Sequence, residues 1–213
     1  MAHESDPELL VALALRLKGF GEIDDVATVH GLDTGLTADT LAAMAEAGRC
    51  MAREVDGVTK YILTPTGRED GEAALGVELD SIDGRVAVQA AYDDFLALNT
   101  SMLQLCTDWQ VKEDAAGEQM LNDHSDDDYD QEVMARLVDL DSDLRKVLAP
   151  LRATLARYNG YPGRFRGALD RLLSGELEYF TKPIIPSYHT VWFELHEDLL
   201  ATLGISRAEE GST

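Results

Sequence analysis

The sequence predicts a mainly α-helical fold: three short helices, a β-hairpin and a further helix, followed by an all-helical bundle. Three observations lead there. Apolar residues recur at helical spacing through most of the chain. Two strand-like runs, Cys50 to Val55 and Thr59 to Leu63, flank Asp56-Gly57, a pair that favours a tight hairpin turn. Gly or Pro punctuates almost every periodic stretch.

In the first helix, Leu9, Leu10, Leu13, Ala14 and Leu17 share a face, with Asp6 as N-cap and Pro7 in the first turn. Gly19 and Gly21 end it. A second helix over 22–30 turns Ile23, Val26, Ala27 and Val29 inward. Gly31 and the turn Asp33-Thr34-Gly35 break it. Thr37 is the expected cap of a third helix over 38–47, with Leu41 and Met44 inward and Gly48 closing it. After the hairpin, Pro65 stops the strand and Thr64 to Arg68 restarts a helix carrying Ala73, Ala74 and Leu75.

That order is the order of a winged helix-turn-helix. The run Tyr61-Ile62-Leu63-Thr64-Pro65-Thr66-Gly67-Arg68 resembles the wing exit "Y-x-L-T-x-x-G-R" of MarR-like bacterial transcription regulators, and Ala47-Gly48 fits the same pattern. The resemblance covers about the first third of the chain. It implies a winged helix over 1–80 and DNA binding through it, by Thr37 and Thr40 on the recognition helix and by Arg49, Arg53, Lys60 and Arg68 around the wing.

Residues 76–84, with two Gly and three acids (Glu78, Asp80 and Asp83), read as a hinge into a second domain over 81–213. A long helix over 85–111 places Val88, Tyr92, Phe95, Leu96, Asn99, Met102, Leu103, Cys106 and Trp109 near one face. Val86, Leu98 and Leu105 form a flanking stripe, which asks for a second surface and so for a homodimer. A polar stretch over 112–130 follows. The next helix, over 131–158, contains Pro150, which predicts a kink or break. Helices over 162–173, 176–180 and 188–203 complete a bundle, the last capped by Ser187 and stopped by Gly204. The tail after Arg207 is expected to be disordered.

Charge is the extreme feature. There are 40 acids against 18 Lys and Arg, a net of −22. Residues 1–76 hold six bases and fourteen acids, a net of −8, so the winged helix itself is acidic. A DNA reader concentrates bases where phosphates lie. The expected recognition helix has none, and Asp39 and Glu46 oppose phosphate. An unidentified protein is therefore the alternative partner to DNA, since winged helices also serve as docking modules.

No apolar run reaches the length of a membrane span, and the acidic start of the chain does not suggest export. Cys50 and Cys106 are best read as free thiols of a cytoplasmic protein. The run 123–130, rich in Asp with His124, reads as a solvated acidic loop or as a cation site. In the last helix His189 and His196 are seven apart, a spacing that does not fit a zinc-binding helix, so no metal or other cofactor is expected. Tyr92, Trp109, Tyr161, Tyr188, His189, Trp192 and His196 form either a core or an aromatic effector pocket for a small molecule. Arg157, Arg164, Arg166 and Arg171 lie around Tyr158 and Tyr161, ready to grip an anion or to pair with acids. Nothing resembles a phosphate-binding loop, a nucleophile elbow or an acid–base pair, and the chain is not read as an enzyme.

Overall fold

A computed structural model describes residues 1–113 and 117–207. The fold is mainly helical. Among the described residues it comprises eight α-helices and two antiparallel two-stranded sheets. The chain order is α1 (Pro7–Lys18), α2 (Ile23–His30), α3 (Thr34–Glu46), β1 (Cys50–Val55), β2 (Val58–Leu63), α4 (Pro65–Ser81), α5 (Arg85–Gln110), β3 (Val111–Glu113), β4 (Gln119–Leu121), α6 (Asp127–Thr154), α7 (Tyr161–Leu173) and α8 (Tyr188–Leu203). Short 3-10 turns occupy Ala156–Gly160 and Leu177–Tyr179.

Compactness divides the chain differently from the sequence reading of 1–80 and 81–213. The first unit joins Met1–Gln89 to Leu151–Gly160 and Glu194–Thr213; the second joins Ala90–Pro150 to Tyr161–Phe193. The divisions fall inside α5, α6 and α8. Backbone bonds help explain the first grouping: His3 N–H donates to the Thr154 carbonyl at 2.9 Å, and Ala156 N–H donates to the His3 carbonyl at 2.9 Å.

In the first unit α1 packs against α2, α3, α4 and β2. Its buried face supplies Leu9, Val11, Leu13 and Leu15 to a core closed by Val26, Leu41, Met44 and Leu75. Asp6 caps α1 by accepting from Glu8 N–H at 2.9 Å. The hairpin pairs Arg53 with Lys60 and Val55 with Val58. Its turn holds Asp56 at φ 54° and Gly57 at φ 78°, the left-handed pair that a two-residue hairpin demands. Thr64 caps α4, accepting from Gly67 N–H at 3.0 Å. A Cβ on Gly67 would stand 1.8 Å from the Arg49 carbonyl oxygen, so only Gly fits this approach.

Several expectations change. The helix α3 starts at Thr34, not at residue 38, because Asp33 accepts from Leu36 N–H at 2.9 Å and outcompetes Thr37 as the cap. Residue 76 is not a hinge: α4 runs through it to Ser81, and the break to α5 is a turn with Asp83 at φ 52°. Pro150 lies inside α6 without ending it; the helix stops at Thr154, short of the predicted 158. The stretch 112–130 holds the small hairpin β3–β4, which hydrophobic pattern did not suggest; residues 114–116 lie outside the described residues. The tail after Arg207 also lies outside them.

In the second unit the inward face of α5 carries Tyr92, Phe95, Met102, Leu105 and Trp109. Leu105 is thus core, and Leu103 is 57% exposed. Leu103 sits one residue, about 100° of helix, past the buried Met102 and so turns outward. Val86 is exposed, but the flanking stripe that argued for a dimer has lost Leu105 to the core.

Candidate functional site

The helix pair α2–α3 and the hairpin carry the residues expected to read DNA. Thr37 is fully buried, and its hydroxyl donates to the Asp33 carbonyl at 2.9 Å. It cannot reach a base edge: the earlier start of α3 turns it into the core side of the second turn. Thr40 is half-buried, and its hydroxyl donates to the Leu36 carbonyl at 2.8 Å, so its proton is committed within the helix. The outer face of α3 instead shows Leu36, Asp39, Ala42, Ala43 and Glu46.

The four bases do not act alike. Arg49 is half-buried and pairs with Glu8 of α1. Arg53 and Lys60 stand opposite each other on the exposed hairpin. The Lys60 ammonium also lies 5.3 Å from the centroid of the Phe20 ring. Arg68 is exposed in the first turn of α4. From Gly19 to Gly48 the chain holds Glu22, Asp24, Asp25, Asp33, Asp39 and Glu46 and no Lys or Arg, so α2 and α3 with their flanks carry a formal charge of −6. Beside them lies a surface groove of about 450 Å³, floored by Ile23, Ala38 and Val58 and rimmed by Glu22 and Asp24. Val58 in its lining is exposed, and α3 and the hairpin also expose Leu36 and Val55.

The aromatic residues proposed for an effector pocket are packed into the interior. Tyr92, Trp109, Tyr161, Tyr188 and Trp192 are buried in the second unit, and His196 is buried in the first. Phe95 and Trp192 stack at 4.8 Å between centroids, Trp109 meets Phe180 at 4.9 Å, and Phe165 meets Tyr188 at 4.9 Å. The Trp192 indole N–H donates to Asn99 Oδ1 at 2.9 Å, and Tyr188 OH donates to Asp141 Oδ1 at 3.2 Å. Burial and the neighbouring Asp141 carboxylate hold the Tyr188 hydroxyl well above its ordinary range. His189 is half-buried, which pulls its pKa down and favours a neutral ring. The arrangement is that of a satisfied core.

The acidic loop is pinned rather than free at His124. Asn122 Nδ2 donates to Asp130 Oδ1 at 2.8 Å and to the Trp109 carbonyl at 3.2 Å. His124 Nδ1 lies 2.9 Å from Asp130 Oδ2, and its ring packs on Trp109 at 4.4 Å. His124 takes the left-handed conformation to do so, at φ 58°. Among the described residues no group of three or more His, Cys, Asp or Glu is arranged to hold a metal ion.

The arginines separate as well. Arg164 lies over Tyr161 at 5.4 Å, Arg171 over Tyr179 at 4.6 Å, and Arg166 is exposed, all in the second unit. Arg157 belongs to the first unit and is wholly buried. It donates to Glu78, to Ser5 Oγ at 3.0 Å and to Thr202 Oγ1 at 2.9 Å, with Asp198 at 3.7 Å. Burial opposes the guanidinium charge, but Tyr158, Asp198 and Glu78 more than offset it, and its pKa stays above the ordinary value. Sequence pattern gave no sign of this network, because its members are far apart in the chain. Cys50 and Cys106 are free thiols. No described helix is long and apolar enough to cross a membrane.

Compared with protein-family models, with curated proteins and with solved structures, the chain matches none.

Proposed function

We propose that the first unit is a winged helix-turn-helix module of a regulatory protein, and that its α2–α3 surface docks a protein partner and not DNA. The order α1, α2, α3, β1, β2, α4, with α1 packed on the other three helices, supports the winged-helix reading. One observation carries the docking reading: the helix pair that would enter a major groove, with its flanks, holds six acids and no Lys or Arg between residues 19 and 48. Each acid facing phosphate is repelled within a Debye length of about 8 Å in physiological salt, and the thermodynamic drive of counterion release needs bases that are absent. The same two elements, α3 and the hairpin, expose Leu36, Val55 and Val58, the last in a groove lined also by Glu22 and Asp24. An apolar centre with a charged rim is the anatomy of a protein interface. The fitting partner surface is apolar at its centre and basic around it.

A second reading is favoured by a separate observation. Arg53 and Lys60 face each other on the exposed hairpin and form a small basic point, which makes phosphate contact through the wing alone the runner-up.

Site-specific photo-crosslinking tests the choice. A photoreactive residue at Ala43, exposed on α3, should capture a discrete protein in the cells that make this chain, and Asp39→Lys with Glu46→Lys should abolish the capture. The same probe at Arg166, exposed in the second unit, should not capture that protein. Crosslinks from Ala43 to nucleic acid, or none to a protein, would overturn the docking reading.

A further inference from the structure

A second concavity in the first unit lies away from the α2–α3 surface. It has a volume of about 520 Å³, within the ordinary range of small-ligand sites, and is bounded by the N-terminal segment, α1 and α4. Its apolar lining includes Leu9, Ala12, Met44 and Val77. Its charged lining is lopsided: Asp6, Glu8, Asp70 and Glu78 against the single guanidinium of Arg49, which is already paired with Glu8.

The decisive group is Glu78. Its side chain is only 7% exposed, yet it lines the cleft. Its Oε2 accepts from Arg157. Its Oε1 accepts no hydrogen bond at all. The His3 imidazole covers it with Nε2 at 3.4 Å, beyond the length of a good N–H···O bond. A buried carboxylate oxygen without a donor costs free energy comparable to a lost charged hydrogen bond. His3 is 38% exposed, so its ring has room to rotate off Oε1. What the oxygen lacks is a donor, and what the walls favour is positive charge on a body with some carbon.

We propose that this cleft binds a small organic cation, an aliphatic or arylalkyl amine, whose ammonium group donates to Glu78 Oε1 and whose carbon body rests on Leu9, Ala12 and Val77. The ammonium displaces the His3 ring and faces the carboxylates of Asp6 and Asp70 at the rim. An anion of the same shape meets a net negative wall, and a neutral analogue brings no positive charge to it. This site is independent of whether α2–α3 docks protein or DNA.

The test is calorimetric titration of the full-length protein with phenethylamine, with 3-phenylpropionate and 2-phenylethanol as shape-matched controls. The amine should bind one to one and at least about tenfold more tightly than either control. Glu78→Gln should weaken it by about tenfold or more. Because Glu78→Gln also loosens Arg157, a second variant keeps the acid: Ala74→Trp fills the cleft from the exposed side of α4, should melt normally, and should abolish binding. Absence of amine binding, equal binding of the alcohol or the acid, or unchanged amine binding by a folded Ala74→Trp variant would each overturn the proposal.

Discussion

Arg157 and Glu78 lie 79 residues apart in the chain and meet as a buried ion pair, the guanidinium wholly enclosed and the carboxylate side chain only 7% exposed. The pair ties α4 to the 3-10 turn Ala156–Gly160 within the first unit. Ser5 and Thr202 accept further guanidinium donors, and the Asp198 carboxylate stands 3.7 Å from Nε, which makes no hydrogen bond. A charge this deep is held only because its partners are in place.

Removing the cation alone should therefore be costly. Arg157→Ala leaves Glu78 and Asp198 buried without their cation and should destabilise the protein by about 3–5 kcal/mol. Replacing both charges together, Arg157→Met with Glu78→Leu, should recover most of that loss, because both ions then leave the interior. Urea unfolding of the two variants checks this. Losses in the double variant as large as in the single would mean that packing, and not charge, holds this point.

Trp192 sits in the core of the second unit, stacked on Phe95 and bonded to Asn99. Trp192→Ala should cost about 3–5 kcal/mol. Asn99→Ala, which removes only the indole's acceptor, should cost about 1–3 kcal/mol. A Trp192→Ala protein with an unchanged melting curve would show that the ring is not part of the core.

Gly67 passes against the backbone of Arg49. Gly67→Ala must push that strand entry away and should cost about 1–3 kcal/mol by overpacking, whereas Gly76→Ala, whose added Cβ meets nothing within 4 Å, is the unclashed helical control and should gain roughly 0.5–1 kcal/mol. Paired thermal melts give the answer; equal melting points for the two would mean the backbone yields at no cost.

Burial pushes the Cys106 thiol up to about 12, and raises the Cys50 thiol as well. Desolvation disfavours the charged thiolate, so near pH 9, where an exposed thiol is mostly ionised, Cys106 remains protonated in the folded protein. Thiolate-directed labelling at pH 9 should be slow for the native chain and fast once it is unfolded. Between about 9 and 12 the unfolded chain releases the Cys106 proton and the folded chain keeps it, so this group lowers stability as pH rises through that window. Rapid native labelling of Cys106 would contradict its placement.

Local signals carried much of this fold. The hairpin turn was legible because Asp56-Gly57 meets a φ requirement that few pairs satisfy, and α8 because Ser187 and Gly204 bracket a helix with Tyr188, Val191, Trp192, Leu195 and Leu199 at helical spacing. Reading failed where two local choices compete. Asp33 and Thr37 are both good caps four residues apart, and it is Asp33 that accepts the first-turn N–H of Leu36. It failed again where periodicity gives equal votes, as at Leu103 and Leu105. The Arg157 network and the cleft at Glu78 were not legible at all. Their members come from the N-terminal segment, α4, the 3-10 turn and α8, and no spacing in the sequence links them.

The charge of α2–α3 is most directly tested by fluorescence anisotropy of labelled duplex DNA titrated with the protein at two salt concentrations. A surface with six acids and no bases, helped only by Arg53 and Lys60, predicts nothing tighter than non-specific contact, roughly 10⁻⁶ M or weaker at about 50 mM salt, with a log–log salt slope no steeper than about −2. Arg53→Ala with Lys60→Ala should then remove what binding remains. Sequence-dependent binding near 10⁻⁹ M that persists at about 150 mM salt would contradict the protein-docking reading.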